Sequence, residues 1–145
     1  MVDMDTKQYL SQISRLDRMI KNKISEISQL RELSISISSV KNEEKVQTTP
    51  NFDKIGNTYC KIEEIEANLE RLIDEYLTKK NLIIEQIDSL EDEMYYNILF
   101  GRYIEKKTFE KIATDINYSF RNTTRLHGKA LVAFEKKYGS IYLND

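Results

Sequence analysis

The chain has 145 residues, of which 32% are charged and 40% hydrophobic, with one Pro, four Gly and no Trp. So little turn chemistry excludes a barrel, a sandwich or a βαβ fold, a single Cys60 excludes an intramolecular disulfide and a Cys-based zinc cage, and a single His127 excludes a multi-His metal centre. No apolar stretch approaches the roughly 20 residues that span a bilayer, and the first residues carry no secretory h-region. The expectation is a cytoplasmic, all-α protein with no membrane partner.

The net charge of −2 hides an asymmetry. Residues 1–100 hold 13 basic and 19 acidic side chains, and residues 101–139 hold 9 basic and 4 acidic. Residues 116–134 contain Arg121, Arg125 and Lys129 and no acid. A locally basic stretch beside an acidic body suits a surface that faces a polyanion.

In chain order, residues 5–35 place Tyr9, Ile13, Leu16, Ile20, Ile24, Ile27 and Leu30 at steps of three or four, which suits a helix and not a strand. Residues 34–40 alternate Ser with Ile, which has no partner strand and is expected to be a fraying helix end. The break is expected over 36–51, where Thr49 can cap the next helix with Pro50 at its first position. The second helix repeats apolar residues every 4 and 3 positions from Ile55 to Leu90, through Tyr59, Ile62, Leu69, Ile73, Tyr76, Ile83 and Ile87, with Glu66 and Lys80 interrupting. That is a coiled-coil face about 54 Å long. Residues 1–87 are therefore expected to form a long antiparallel helical hairpin, a coiled-coil-like arm whose broad apolar stripe favours a homo-oligomer, a dimer first.

Residues 88–145 are expected to form a second domain of shorter helices. The first runs from Leu90 to Tyr103, and Glu105-Lys106-Lys107-Thr108 makes a turn in which Thr108 caps the next helix. That helix spans Phe109–Ile116, and after Asn117-Tyr118 the residue Ser119 caps a third helix reaching about Tyr138. This is helix-turn-helix spacing. Small Ala113 permits a close crossing, and Ile112, Ile116, Tyr118 and Leu126 form the shared core. Asn117 sits where the turn needs φ > 0, and Thr123 replaces the usual Ile or Val.

The string Leu90-Glu91-Asp92-Glu93 through Leu99-x-x-Arg102-Tyr103-Ile104-Glu105, Thr108-Phe109-x-x-Ile112-Ala113, Tyr118-Ser119 and Arg125-Leu126-His127-x-Lys129-Ala130-Leu131 resembles region 4 of sigma-70-type factors. The resemblance covers about residues 88–137. It implies a sigma-70 region 4-like helix-turn-helix domain whose third helix enters the DNA major groove. The rest of the chain lacks a region 2. A helical first half followed by a region-4-like end is similar to phage regulators of the RinA/ArpU type, which implies a late-gene transcription activator in a bacterial host cell, with RNA polymerase as a further partner.

On that third helix, Arg121, Asn122, Thr124 and Arg125 are the candidate base-reading residues, since Arg can donate twice to guanine and Asn can pair with adenine. Lys106, Lys107, Thr108, Lys111, Ser119 and Lys129 are the candidate phosphate contacts on double-stranded DNA. His127 has no neighbouring Ser, Cys or acid for catalysis, and Cys60 reads as a packing thiol. Glu63, Glu64, Glu66 and Glu70 read as a solvated face, and there is no Gly-rich phosphate loop. No enzyme activity, metal or cofactor is expected. Two alternatives stand beside a DNA-binding regulator. One is a DNA-packaging component like a small terminase subunit, and the other an adaptor that binds RNA polymerase or a sigma factor without DNA.

Overall fold

A computed structural model describes residues 4–43 and 52–143, and these are all-helical, with no strand among them. Helix α1 spans Thr6–Glu43, α2 Phe52–Asp88, α3 Glu93–Leu99, α4 Phe109–Ile116 and α5 Phe120–Tyr142, with a π-helical segment at Phe100–Ile104 between α3 and α4. Among the described residues no helix is long and apolar enough to cross a membrane.

Helix α1 begins on a reciprocal cap. Gln8 N–H donates to Asp5 Oδ1 (2.7 Å) and Asp5 N–H to Gln8 Oε1 (2.9 Å), which satisfies two end donors at once. The helix continues to Glu43, beyond the expected fraying at 34–40. Ser and Ile cost only a few tenths of a kcal/mol each in a helix, and Ser34 is buried in the stripe begun by Ile27. Residues 36–43 are thus helical; the rest of the expected loop, 44–51, with Thr49 and Pro50, lies outside the described residues.

The chain divides into two compact units, one holding Met1–Leu16 and Tyr76–Asp145, the other Asp17–Glu75. The division passes through both long helices and does not fall at 87/88. Its cause is visible in the core of the first unit. There Tyr9, Leu10 and Ile13 from α1 and Ile83 and Ile87 from α2 pack on Leu99, Tyr103, Ala130 and Phe134. Polar groups in this core are satisfied. Tyr9 Oη donates to the buried Gln86 Oε1 at 2.7 Å, and Thr6 Oγ1 lies 2.9 Å from Tyr142 Oη. The rings of Tyr9 and Tyr142 stack at 4.2 Å, with Phe134 beside them.

In the second unit, Ile27 of α1 clusters with Ile62 and Ile65 of α2, flanked by Leu30 and Leu69. Glu66, which interrupts the heptad, pairs with Arg31 at 2.5 Å on the surface. Such exposed pairs contribute little, about 0–1 kcal/mol. Ile62, Ile83 and Ile87 of the heptad are buried, whereas Tyr59 and Ile73 are exposed.

The shorter helices depart from expectation at their start. Asp92 Oδ1 accepts from Met94 N–H (2.9 Å) and Tyr95 N–H (3.1 Å), so α3 starts at Glu93 and not at Leu90. The Leu90–Tyr103 helix expected as one piece then widens into the π segment, where Glu105 N–H reaches back to Phe100 O at 3.0 Å. Gly101 sits in this segment because a Cβ there would lie 3.3 Å from Ile112 Cγ1. Lys106 follows with φ 59°, a left-handed conformation unusual for a side chain of its length.

Candidate nucleic-acid interface

Thr108 caps α4, its Oγ1 accepting from Lys111 N–H at 3.2 Å. The helix ends on Asn117 in the left-handed region (φ 59°, ψ 40°), where Tyr118 N–H bonds Ala113 O at 3.0 Å. Ser119 then caps α5 through Asn122 N–H at 3.1 Å. Ile112 and Ala113 are buried on α4, and on α5 the inward stripe is Thr123, His127, Ala130 and Phe134. Thr123 is fully buried, with its hydroxyl donating to Ser119 O at 2.8 Å. Its methyl fills the space that Ile or Val would, and its hydroxyl has a partner. Three expected core residues differ: Tyr118 is exposed, and Ile116 and Leu126 are only half-buried, with His127 at the inner position beside Leu126.

His127 is a core residue. Its Nε2 lies 2.8 Å from Tyr103 Oη, and Phe109 meets the imidazole edge-on at 4.8 Å. Burial, with lesser contributions from the charges of Lys7 and Arg102, pushes its pKa down to about 4, so the ring is neutral at pH 7. Burial likewise raises the Tyr103 phenol to about 12.

The four candidate base-reading residues lie in the first two turns of α5. Arg121 and Arg125 are exposed; Asn122 and Thr124 are half-buried. They are not independent. Arg125 donates from Nε (3.2 Å) and Nη2 (2.6 Å) to Asn122 Oδ1, so the Asn amide oxygen holds the guanidinium. Thr124 Oγ1 donates to Arg121 O at 2.9 Å.

Comparisons with protein-family models, curated proteins and solved structures find no match.

The candidate phosphate contacts are dispersed. Lys107 pairs with Asp115 at 3.0 Å and Glu105 at 3.4 Å, and Lys111 with the same Asp115 at 3.1 Å. The hydrogen bond from Lys107, then that from Lys111, holds the Asp115 carboxyl below the usual range, and Asp115 in turn raises Lys107. The hydroxyls of Thr108 and Ser119 serve as helix caps. Lys129 is exposed on α5 and lines a shallow groove with Arg125, Lys136, Tyr95 and Val132. Lys106 faces a separate cleft with Lys7.

Two residues near the α5 N-terminus were not among the candidates: Tyr118 and Phe120, which flank the Ser119 cap. Phe120 is 51% exposed. The signal in the sequence was an aromatic residue immediately after a cap, one position from Arg121 and outside the Thr123–His127–Ala130 stripe.

Proposed function

We propose that α4, the Asn117 turn and α5 act as a helix-turn-helix of the sigma-70 region 4 kind, and that the protein is a sequence-specific DNA-binding transcription regulator, a phage or prophage late-gene activator of the RinA/ArpU type. The helix pair α1–α2 serves as an antiparallel hairpin and oligomerisation arm, its exposed Tyr59 and Ile73 covered by a second copy. One observation carries the reading: a left-handed Asn117 turn, with Ala113 and Thr123 buried beside it, leaves Arg121 and the Asn122–Arg125 pair on the outer face of a capped helix. The lack of any acid over 116–134 supports it electrostatically. In this reading Arg125 donates to guanine, Asn122 positions it, and Phe120 adds an apolar contact of the kind a thymine methyl accepts. Lys129 contacts phosphate, while Lys107 and Lys111 do so only after exchanging Asp115 for the backbone.

The adaptor reading is favoured by one observation, the exposure of Tyr118 and Phe120 beside lysines already paired to Asp115. Selection of bound sequences from random duplex, with and without bacterial RNA polymerase, separates the two. A recurrent motif recovered without polymerase supports the regulator. Recovery of DNA only with polymerase, with no enrichment by the protein alone, favours the adaptor.

A further inference from the structure

A groove of about 560 Å³ runs between α3 and the outer face of α5, just past the turns that carry Arg121 and Asn122. Its floor is Gly128, Val132 and Ala133, and its rim is Tyr95, Arg125, Lys129 and Lys136. Arg125, Lys129, Val132 and Lys136 follow at steps of 4, 3 and 4, so they share one helix face. Val132 is 51% exposed. Gly128 is exposed in mid-helix, where glycine is less favourable than alanine. Packing does not call for it, since a Cβ there would meet nothing within 4 Å. It leaves bare backbone that another helix can approach closely.

The rim cations lack acidic partners. Lys129 and Lys136 form no ion pair or hydrogen bond among the described residues, and the Arg125 side chain bonds the neutral amide of Asn122. No carboxylate lines the groove. Of the acids on these two helices and their caps, Asp92 is engaged by Met94 N–H and Tyr95 N–H. Glu93 lies two residues from Tyr95 and so about 200° around α3. Glu135 lies against the Gly139 turn, its Cγ 3.1 Å from where a Gly139 Cβ would stand. An apolar floor inside a cationic rim fits a partner that sets carboxylates around an apolar side chain. A phosphate backbone has nothing apolar to lay on Val132 and Ala133.

The same chain carries such a face. On α2, Glu63, Glu66, Glu70 and Asp74 recur at steps of 3, 4 and 4, and Leu77, 50% exposed, continues the row. All four acids are exposed. Glu66 is paired with Arg31, whereas Glu63, Glu70 and Asp74 have no ion pair among the described residues. Glu63 to Asp74 and Arg125 to Lys136 each span about 17 Å. We propose that α2 of a second copy lays this acidic row in the groove, with its free carboxylates on Arg125, Lys129 and Lys136 and Leu77 against Val132 and Ala133. The docked helix covers Arg125, so DNA and the acidic row compete for one face and the chain is autoinhibited by its neighbour. That consequence rests on the proposed function; the docking itself does not.

The test is carbodiimide cross-linking of the full chain, which joins a lysine amine to a carboxylate at contact. Heavy-isotope-labelled chains are mixed with unlabelled ones, so that mass spectrometry tells cross-links between copies from those within one. The expected result is cross-links between copies from Lys129 or Lys136 to Glu63, Glu70 or Asp74 at about 0.05 M salt, weakened about fivefold or more at about 0.5 M. Glu70→Lys with Asp74→Lys should abolish them. Adding Lys129→Glu and Lys136→Glu to that chain should restore them, with amine and carboxylate exchanged. All four positions are exposed, and circular dichroism checks that each variant folds. Cross-links confined to single copies, or none at all, or no restoration by the double reversal, overturn the proposal. Duplex anisotropy separates the docking from the DNA reading. Glu70→Gln with Asp74→Asn should tighten duplex binding about threefold or more at micromolar chain. Glu32→Gln with Glu64→Gln, the same charge change at exposed positions off the row, should not; equal tightening by both pairs overturns the masking of α5. Cross-links as expected, with no duplex bound by any of these chains, uphold the docking and refute the DNA reading. No cross-link between copies, while Lys136→Gln weakens duplex binding, assigns the groove to the DNA backbone and overturns the docking.

Discussion

Lowering the pH from 7 to 4 should destabilise the fold through one side chain. His127 is neutral in the folded chain, with a pKa near 4, and titrates near 6.5 when unfolded. Between those values the unfolded state binds the extra proton, so stability falls as pH falls through this window and stops responding to His127 below about pH 4. Each tenfold step is worth about 1.4 kcal/mol, which sets a ceiling of about 3 kcal/mol, and water reaching the ring from the cleft shared with Lys7 brings the expected loss down to about 2 kcal/mol. The assay is urea unfolding followed by circular dichroism at several pH values between 7 and 4, for wild type and His127→Gln. The variant keeps a neutral polar group beside Tyr103 and cannot titrate. Carboxylates such as Asp115 contribute equally to both proteins, so the difference between the two curves isolates His127. If both proteins lose stability in parallel across the window, the buried neutral imidazole is not the cause.

Phe134→Ala should cost about 3–5 kcal/mol, since the ring is fully buried among Tyr9, Tyr138 and Tyr142; chemical denaturation reads it directly. Asn117→Ala should destabilise by about 1 kcal/mol and Asn117→Gly by much less, because only Gly takes φ 59° without penalty; the pair of melting curves checks the turn. Asp115→Asn should strengthen duplex binding at low salt and steepen its salt dependence by releasing Lys107 and Lys111, as read by a salt-titrated anisotropy assay. Ile73→Glu should leave single-chain stability almost unchanged, given the exposure of Ile73, yet lower the solution molar mass if a second copy covers that face; light scattering measures it.

The caps and the turn were legible because their chemistry is local. Thr108, Asn117 and Ser119 each sit where a single residue type satisfies a backbone donor or a positive φ, and no distant partner has to be known. The helical periodicity of both long segments was legible for the same reason. What periodicity does not carry is where a long helix changes partners. Tyr9 and Ile13 belong to the same three- and four-residue series as Ile20 to Leu30, yet with Leu10 they pack on Phe134 and Leu99, and only tertiary contact distinguishes them. The helix register at 90–104 is not legible in the sequence because the Asp92 cap lies inside an apolar pattern that reads as continuous, and because π-helical widening leaves no mark in a 3.6-residue period. For the candidate interface, sequence could list Arg125, Asn122, Lys107 and Lys111 by type. It could not show that two of them bond each other and that two share one aspartate. The i, i+3 spacing of Asn122 and Arg125 and the i, i+4 spacing of Lys111 and Asp115 were the available hints.

We propose that the outer face of α5 reads DNA. It is tested most directly by fluorescence anisotropy of the full chain on its selected duplex and on a scrambled one, comparing wild type with Arg121→Ala and Arg125→Ala at low salt. Arg125→Ala should lose about 1–3 kcal/mol on the selected duplex, with little change on the scrambled one. Equal affinity of wild type and both variants for the selected duplex would contradict it.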